Sequence, residues 1–137
     1  MYLTIKQQLK HLSKEDYVNL KELCHIAKNL TNETLYNIRQ YYMNEKEYLC
    51  YEKNYHLLKN SLNYKLLNSN MAQQIMKQVD SSFKSFFALL RKCKAGTYNY
   101  KDVKLPRYLP KDSYSALVIA CVRLNGNKLV VPYSQSY

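Results

Sequence analysis

Apolar and small residues recur every three or four positions in the first third of the chain, which predicts a long helix with one buried side. This pattern runs through Tyr17, Leu20, Leu23, Ala27, Leu30, Thr34, Ile38 and Tyr41. Ser13 can cap the helix, and Asp16, three residues later, completes a capping box. We therefore expect the helix to run from about residue 14 to the low 40s.

A second stripe of the same period lies in MAQQIMKQVDSSFKSFFALLRKCKAG, residues 71–96. Its apolar positions are Ala72, Ile75, Met76, Val79, Phe83, Phe86, Phe87 and Leu90. They form a face more than about 100° wide, as in a helix that packs on a core. Ser69 or Asn70 can cap its start, cations fill its last turn, and Gly96 is typical of the C′ position. We interpret the stripe as core packing and the basic end as the part that points outward.

The segments around these two helices predict shorter elements. Residues 2–9 alternate loosely and favour a short strand. Residues 51–58 favour a short helix, and residues 60–70 favour a connection. Residues 97–114 contain two prolines and predict a long loop.

After this loop the hydrophobic period changes to two. The segment ALVIACVRL predicts a strand, Asn125 and Gly126 predict a tight hairpin turn, and KLVVP predicts the returning strand. Two strands alone are marginal in water, so this pair needs further strands or a helix beneath it.

Together these elements predict an α+β fold that is mainly α. We expect long antiparallel helices inserted after a first short strand and followed by a β-hairpin. The expected boundaries are 1–11 for the first strand, 12–96 for the helical part, and 97–137 for the basic loop and hairpin.

The basic residues are concentrated in one segment. The formal net charge is +11, from 21 Lys and Arg against 10 Asp and Glu. Between Lys84 and Lys111 there are eight cations and one anion, Asp102, so this segment carries +7. A local basic field of this kind suits a polyanion, above all nucleic acid. The alternative is a solvated loop that is basic for solubility.

Tyrosines alternate with the cations of this segment. Their rings can stack on unpaired bases while the cations hold phosphates, although a chain with 15 tyrosines places some among lysines by chance. The candidate nucleic-acid-binding residues are Lys84, Arg91, Lys92, Lys94, Tyr98, Tyr100, Lys101, Lys104, Arg107, Tyr108 and Lys111.

The sequence contains no self-contained catalytic or metal-binding set. Two glycines cannot form a Gly-rich phosphate loop, and the three histidines have no ligand spacing. Asp80 is expected on the polar side of its helix, and the carboxylates do not converge as a metal-dependent nuclease requires. We expect no catalytic residue, no metal and no cofactor in this chain, and therefore no enzymatic activity of its own.

Composition also indicates the compartment. No apolar run at the start fits a signal peptide, and no stretch approaches about 18 apolar residues. The four cysteines lie far apart without a CxxC pair, which gives zinc little support. We expect a cytoplasmic protein with no membrane partner and with reduced thiols at Cys24, Cys50, Cys93 and Cys121.

Five sequence features, in this order along the chain, resemble one known family. YLTIKQQLKHLSKEDYVNLKELCHIAKNLTNETLYN looks like its opening strand and first long helix, with Asn32 and Leu35 in an N…L pattern. The strongest match is MAQQIMKQVDSSFKSFF, through Gln73, Asp80, Phe83, Phe86 and Phe87. KLPRY is similar to a PKF step, and NKLVVPY to an I-x-L-P strand end. Over essentially all 137 residues the chain resembles the amino-terminal portion of the TnpB family, the OrfB-type transposases of small bacterial insertion sequences.

The resemblance implies a fold and a function. In this family the first strand and the hairpin belong to a wedge-like β-barrel, and the long helices form an inserted recognition lobe. Together they hold a guide RNA and help to recognise a short motif in target DNA. Cutting needs a RuvC-like domain with a divalent metal and a zinc-binding insert, which lie downstream of this chain. The implied partners are therefore guide RNA, target DNA and the missing carboxy-terminal half, in the bacterial cytoplasm.

Two other interpretations stay open. One is a transposase helix-turn-helix that reads duplex DNA, although the sequence has no short helix pair with an obviously basic second helix. The other is a non-functional truncated remnant, from a decayed copy, a split reading frame or a cloned fragment. The TnpB-like interpretation also has a second form, in which the chain is a natural short protein that binds nucleic acid by itself.

Overall fold

The computed structural model of the protein describes residues 1–120 and 122–134, and it is mainly helical. The helices are α1 Lys14–Glu45, α2 Tyr51–Leu58, α3 Leu62–Leu66 and α4 Ser69–Lys94. A 3₁₀ turn at Tyr100–Asp102 follows, and an antiparallel hairpin joins β1 Arg123–Asn125 to β2 Lys128–Val130. The predicted fold class, α+β and mainly α, is confirmed at this level.

The ends of α1 follow from local signals. The Ser13 side chain accepts a hydrogen bond from the Asp16 backbone N–H at 3.1 Å, which confirms the predicted cap. Glu15 and Asp16 place negative charge in the first turn, where the helix dipole favours it. Lys46 ends the helix in the left-handed conformation, with φ of 56°. The predicted stripe of α1 is buried or half-buried, except for the exposed ring of Tyr17.

The ends of α4 are equally well defined. Its cap is Asn68, one residue before the predicted candidates, and the Asn68 side chain accepts from the Asn70 N–H at 3.1 Å. At the other end Gly96 has φ of 80°, and its N–H donates to the Cys93 carbonyl at 3.0 Å. The Thr97 N–H donates to the Lys92 carbonyl at 3.0 Å. This pair of bonds is the Schellman motif, so the predicted C′ role of Gly96 is confirmed.

The two long helices run in the same direction, so the prediction of antiparallel long helices is wrong. One core cluster joins residues 23–30 of α1 to residues 71–76 of α4, and a second joins residues 35–38 to residues 79–83. Earlier residues of α1 therefore contact earlier residues of α4, and later residues contact later ones, as in two parallel helices. The reason is that α2 and α3 lead the chain back in the opposite direction. They return it from the C-terminal end of α1 toward its N-terminal part before α4 begins.

Two buried clusters hold the helices together. The first is mostly aliphatic and includes Leu30, Met71 and Ile75, and the second contains Leu49 and Phe83. The second is extended by aromatic rings, with Tyr48 edge-on to Phe87 at 5.5 Å between centroids. Each fully buried apolar side chain of this size stabilises the fold by about 1.5–3 kcal/mol.

The strand predicted over residues 2–9 is not formed. Residues 1–10 have neither helix nor strand, and their apolar side chains are exposed, with Ile5 at 83%. A strand is stable only when its backbone groups pair with a neighbour. No strand of the described residues lies beside this segment, so its alternating pattern has no partner here.

The predicted hairpin is present but shorter. Asn125 pairs with Lys128, so the two-residue loop is Gly126–Asn127 rather than Asn125–Gly126. Gly126 has φ of 60°, which glycine adopts without strain. Leu117 and Ile119, predicted to belong to the first strand, instead pack as extended chain against the first core cluster. Cys121, in the same predicted strand, lies outside the described residues.

Candidate nucleic-acid interface

Hydrogen bonds from α1 side chains hold the basic loop after α4 along α1, and we call this segment the fastened loop. The Lys28 ammonium donates to the Lys111 carbonyl at 2.8 Å, and the Arg39 guanidinium donates to the Pro106 carbonyl. Between them the Asn32 amide donates to the Leu109 carbonyl at 3.0 Å and accepts from the Leu109 N–H at 2.9 Å. All of these bonds go to the loop backbone. The cationic side chains of the loop therefore keep their own donors for other contacts.

Helix and loop match in length because the loop is extended. From Asn32 to Arg39 the helix rises about 10.5 Å, and three extended residues from Leu109 back to Pro106 span about 10 Å. The order of the contacts shows that the loop runs antiparallel to α1. Further on, the Ser115 N–H donates to the Cys24 carbonyl at 3.1 Å, which continues the same direction. The docked segment therefore follows one face of α1.

The eight cations of the segment differ in their partners. Lys84 is paired with Asp80 at 2.9 Å, and this hydrogen bond, followed by the charge of Asp80, raises the pKa of the Lys84 ammonium. Within the described residues, the other seven have no acidic group at ion-pair distance. All seven are exposed: Arg91, Lys92, Lys94, Lys101, Lys104, Arg107 and Lys111. Lys84 also lies about two helical turns before the last turn of α4, so it stands apart from the others.

The three candidate tyrosines are partly exposed, with 58% for Tyr100, 42% for Tyr108 and 41% for Tyr98. The Tyr108 ring is held by the Arg39 guanidinium, whose carbon lies 4.7 Å from the ring centroid. This cation–π contact fixes the ring on the surface. Tyr98 and Tyr100 have no such support among the described residues, so the structure orders one of the three rings.

The residues that position the loop are not among the candidates that the sequence singled out. Lys28, Asn32 and Arg39 follow one another at steps of four and seven, which is a second face of α1 beside the apolar stripe. This spacing was visible in the sequence. Its meaning was not, because polar residues at helical spacing usually face water.

Comparison of the chain with protein-family models, curated proteins and solved structures gives no match. Any indication of function therefore comes from this chain's own residues. The basic surface has two parts, a fastened basic loop and the basic end of α4, which the Schellman motif connects to that loop. Such an arrangement holds positive charge in a defined place on the surface.

Three residues that carry the family resemblance have structural partners. Asn32 binds the loop backbone, and the Gln73 amide donates to the Tyr64 hydroxyl at 3.3 Å. Asp80 is only 7% exposed, and its carboxylate accepts a short hydrogen bond from the Tyr48 hydroxyl. The expectation that Asp80 lies on the polar side of α4 is therefore wrong. The hydrogen bond from the Tyr48 hydroxyl holds the Asp80 carboxylate in the interface between the helices.

The described residues contain no group of three or more His, Cys, Asp or Glu side chains that could hold a metal ion. Cys24, Cys50 and Cys93 are free thiols, and burial raises the pKa of the Cys24 thiol. In the described part of the chain, no helix is both long and apolar enough to cross a membrane.

Proposed function

We propose that this chain is a nucleic-acid-binding module. The observation that carries the proposal is the set of seven exposed cations without an acidic partner in the described residues, arranged along the end of α4 and a loop fastened to α1. Phosphate contacts by such cations supply most of the affinity in sequence-independent nucleic-acid binding. The rival explanation, a solvated basic loop, gives no reason for fastening the loop backbone at three places.

The fastening favours binding for an energetic reason. A free loop loses conformational entropy when it binds, at about 1–2 kcal/mol for each backbone residue that becomes fixed. Between Pro106 and Lys111 the backbone is already held by α1, so this loss is avoided on binding. Arg107 and Lys111 are then presented in a fixed register beside the Tyr108 ring.

At a finer level, we propose that the module is the recognition and partial wedge region of a TnpB-like, transposon-encoded, RNA-guided DNA endonuclease. The order of the sequence features supports this, and so do the exposed apolar residues of 1–10 and of the hairpin, which need further strands to cover them. Its ligands would be guide RNA and target DNA in the bacterial cytoplasm. Cutting, with the divalent metal and zinc, would belong to a carboxy-terminal half, so this chain would not itself be an enzyme.

Charge reversal with a matched control tests the proposal. The test variant carries Arg91→Glu, Lys92→Glu and Lys94→Glu, and the control carries Lys46→Glu, Lys53→Glu and Lys59→Glu, which are exposed cations outside the segment. Each variant lowers the formal net charge from +11 to +5. We expect the test variant to lose retention of single-stranded RNA in a filter-binding assay, while the control keeps most of it.

Two results would contradict the proposal. Equal losses in both variants would mean that only net charge matters, and unchanged retention in the test variant would mean that the basic segment is not the contact surface. Competition between structured RNA and duplex DNA separates the two binding hypotheses. A helix-turn-helix would prefer the duplex, whereas the recognition region is expected to prefer the RNA.

A further inference from the structure

An open groove of about 510 Å³ lies between α1, the α2–α3 region and the fastened loop. This volume is within the ~300–1,000 Å³ typical of small-molecule sites. Four asparagines, one glutamate and two tyrosines line most of it, including Tyr36 of α1 and Tyr108 of the loop. No sequence pattern predicts that these residues lie together, because they come from three separate segments.

Two of the asparagine amides have free hydrogen-bonding capacity. Asn32 is bound to the loop backbone, and the Asn37 amide donates to the Asn54 side chain at 3.1 Å. The side-chain amides of Asn29 and Asn63 make no hydrogen bond with any described residue, although both residues are half-buried in the groove wall. A half-buried amide gains most from a ligand that offers a donor and an acceptor side by side.

The charge of the groove selects the part of a nucleic acid that can enter. Glu33 lies in its wall, where it accepts a hydrogen bond from the Ser61 hydroxyl at 3.2 Å. A carboxylate repels phosphate but accepts hydrogen bonds from the amino group of a base, as Glu does from cytosine. The loop cations beside the groove suit the phosphates instead. The groove therefore suits a base of the nucleic acid, and the loop cations beside it suit the phosphates.

We infer that the groove binds one unpaired nucleobase that carries an exocyclic amino group (adenine, cytosine or guanine, but not uracil) from a single-stranded RNA. Asn29 and Asn63 hydrogen-bond its edge, Glu33 accepts from its amino group, and the Tyr108 ring offers a stacking surface. Arg107 and Lys111, on either side of Tyr108 along the loop, bind the neighbouring phosphates. The inference rests on the proposed function, and it adds a base-reading site to it.

Fluorescence anisotropy with homopolymeric oligoribonucleotides, each containing one kind of base, tests this site. The wild-type chain is expected to bind oligo(rA) or oligo(rC) about tenfold more tightly than oligo(rU), since one good base contact discriminates by about that factor. The double variant Asn29→Ala, Asn63→Ala is expected to lose this preference. Its dependence of affinity on salt is expected to stay unchanged, because no phosphate contact is removed.

Two further variants make the result specific. Asn44→Ala removes an exposed amide from the same helix outside the groove, and it is expected to bind as the wild type does. Glu33→Gln keeps a hydrogen-bond acceptor for Ser61 but removes the charge, and it is expected to reduce the preference for amino-bearing bases. If the double variant fails to fold by circular dichroism, Glu33→Gln carries the test.

The outcomes separate this inference from the proposed function. Equal binding of all oligonucleotides by the wild type, or an unchanged preference in both groove variants, would overturn the base site while leaving phosphate binding intact. A smaller salt dependence in the double variant would also overturn it, because the two substitutions would then have disturbed the phosphate contacts of the neighbouring cations. Absence of all RNA binding by the wild type would refute both.

Discussion

At the scale of single residues, several polar side chains in the helical part act on the protein itself. Asn54 is fully buried, and its side chain accepts from the Asn37 amide and donates to the Thr34 carbonyl at 3.3 Å. Lys28 is 4% exposed, and its ammonium is bound to a loop carbonyl. Buried polar groups that find partners in this way specify one arrangement of the elements around them. They also leave the outer surface of the basic segment free for a ligand.

The contact between Tyr48 and Asp80 gives the first residue-scale prediction. Tyr48→Phe removes the hydroxyl that donates to the buried carboxylate, and we expect the free energy of unfolding at pH 7 to fall by about 1–3 kcal/mol. Urea denaturation measures the change. Tyr42→Phe is the control, since the Tyr42 ring packs on Phe87 while its hydroxyl has no partner among the described residues. A loss of the same size in both variants would contradict the role of the hydrogen bond.

Tyr48 also predicts how the stability of the fold changes with pH in the alkaline range. Burial, followed by the hydrogen bond to Asp80, raises the pKa of the Tyr48 phenol well above its ordinary value. The neutral phenol is therefore favoured in the folded state. Its contribution to stability is complete below the unfolded pKa of about 10 and declines as pH rises above that value. We expect the fall in stability above about pH 10 to be less steep in Tyr48→Phe than in the wild type, as measured by urea denaturation at each pH.

Asn32 gives a prediction about the loop. Asn32→Ala removes both hydrogen bonds to the Leu109 backbone, so we expect the Leu109 amide to exchange with deuterium faster than in the wild type. At about 0.5–1.5 kcal/mol for each bond, the two losses correspond to roughly 5–150-fold faster exchange if local opening governs it. Asn44→Ala is the control on the same helix. Unchanged protection of Leu109 would show that Lys28 and Arg39 hold the loop without Asn32.

At the scale of elements, the helix bounds follow from the sequence because their causes are local. Ser13 and Gly96 act within four residues of the helix ends that they define, and α2 begins and ends at the predicted residues. The shared direction of α1 and α4 could not be predicted in this way, because it depends on how residues 51–66 fold back. The docking of the loop on Asn32 and the groove around Asn63 are also contacts between distant segments, and no periodicity encodes them.

Gly96 gives an element-scale prediction. An added Cβ would meet nothing within 4 Å, so the effect of Gly96→Ala arises only from the left-handed conformation, with φ of 80°. We expect the free energy of unfolding to fall by about 1–2 kcal/mol, and by less for Gly96→Asn, since asparagine tolerates this region. Thermal denaturation measures both. An unchanged stability in Gly96→Ala would mean that the end of α4 rearranges without strain.

At the scale of the whole molecule, the fold separates packing from binding. One side of α1 and the apolar face of α4 form the core, and a second side of α1 carries the loop with its cations turned outward. The net charge of +11 is therefore borne unevenly. The ion pair sets Lys84 apart from the other seven cations of the group that the sequence defined, and these seven have no acidic partner among the described residues.

This count makes the last prediction quantitative. For single-stranded nucleic acid, the logarithm of affinity falls against the logarithm of salt concentration with a slope of about −0.7 for each phosphate contact, so seven contacts predict a slope of roughly −5. Lys104→Ala is expected to make the slope less steep by about 0.7. Lys84→Ala is expected to leave it unchanged, because the Lys84 ammonium is bound to Asp80. Fluorescence anisotropy with one labelled RNA over a salt series measures all three slopes. An equally large change of the slope in both variants would show that RNA opens the ion pair and that Lys84 also contacts a phosphate.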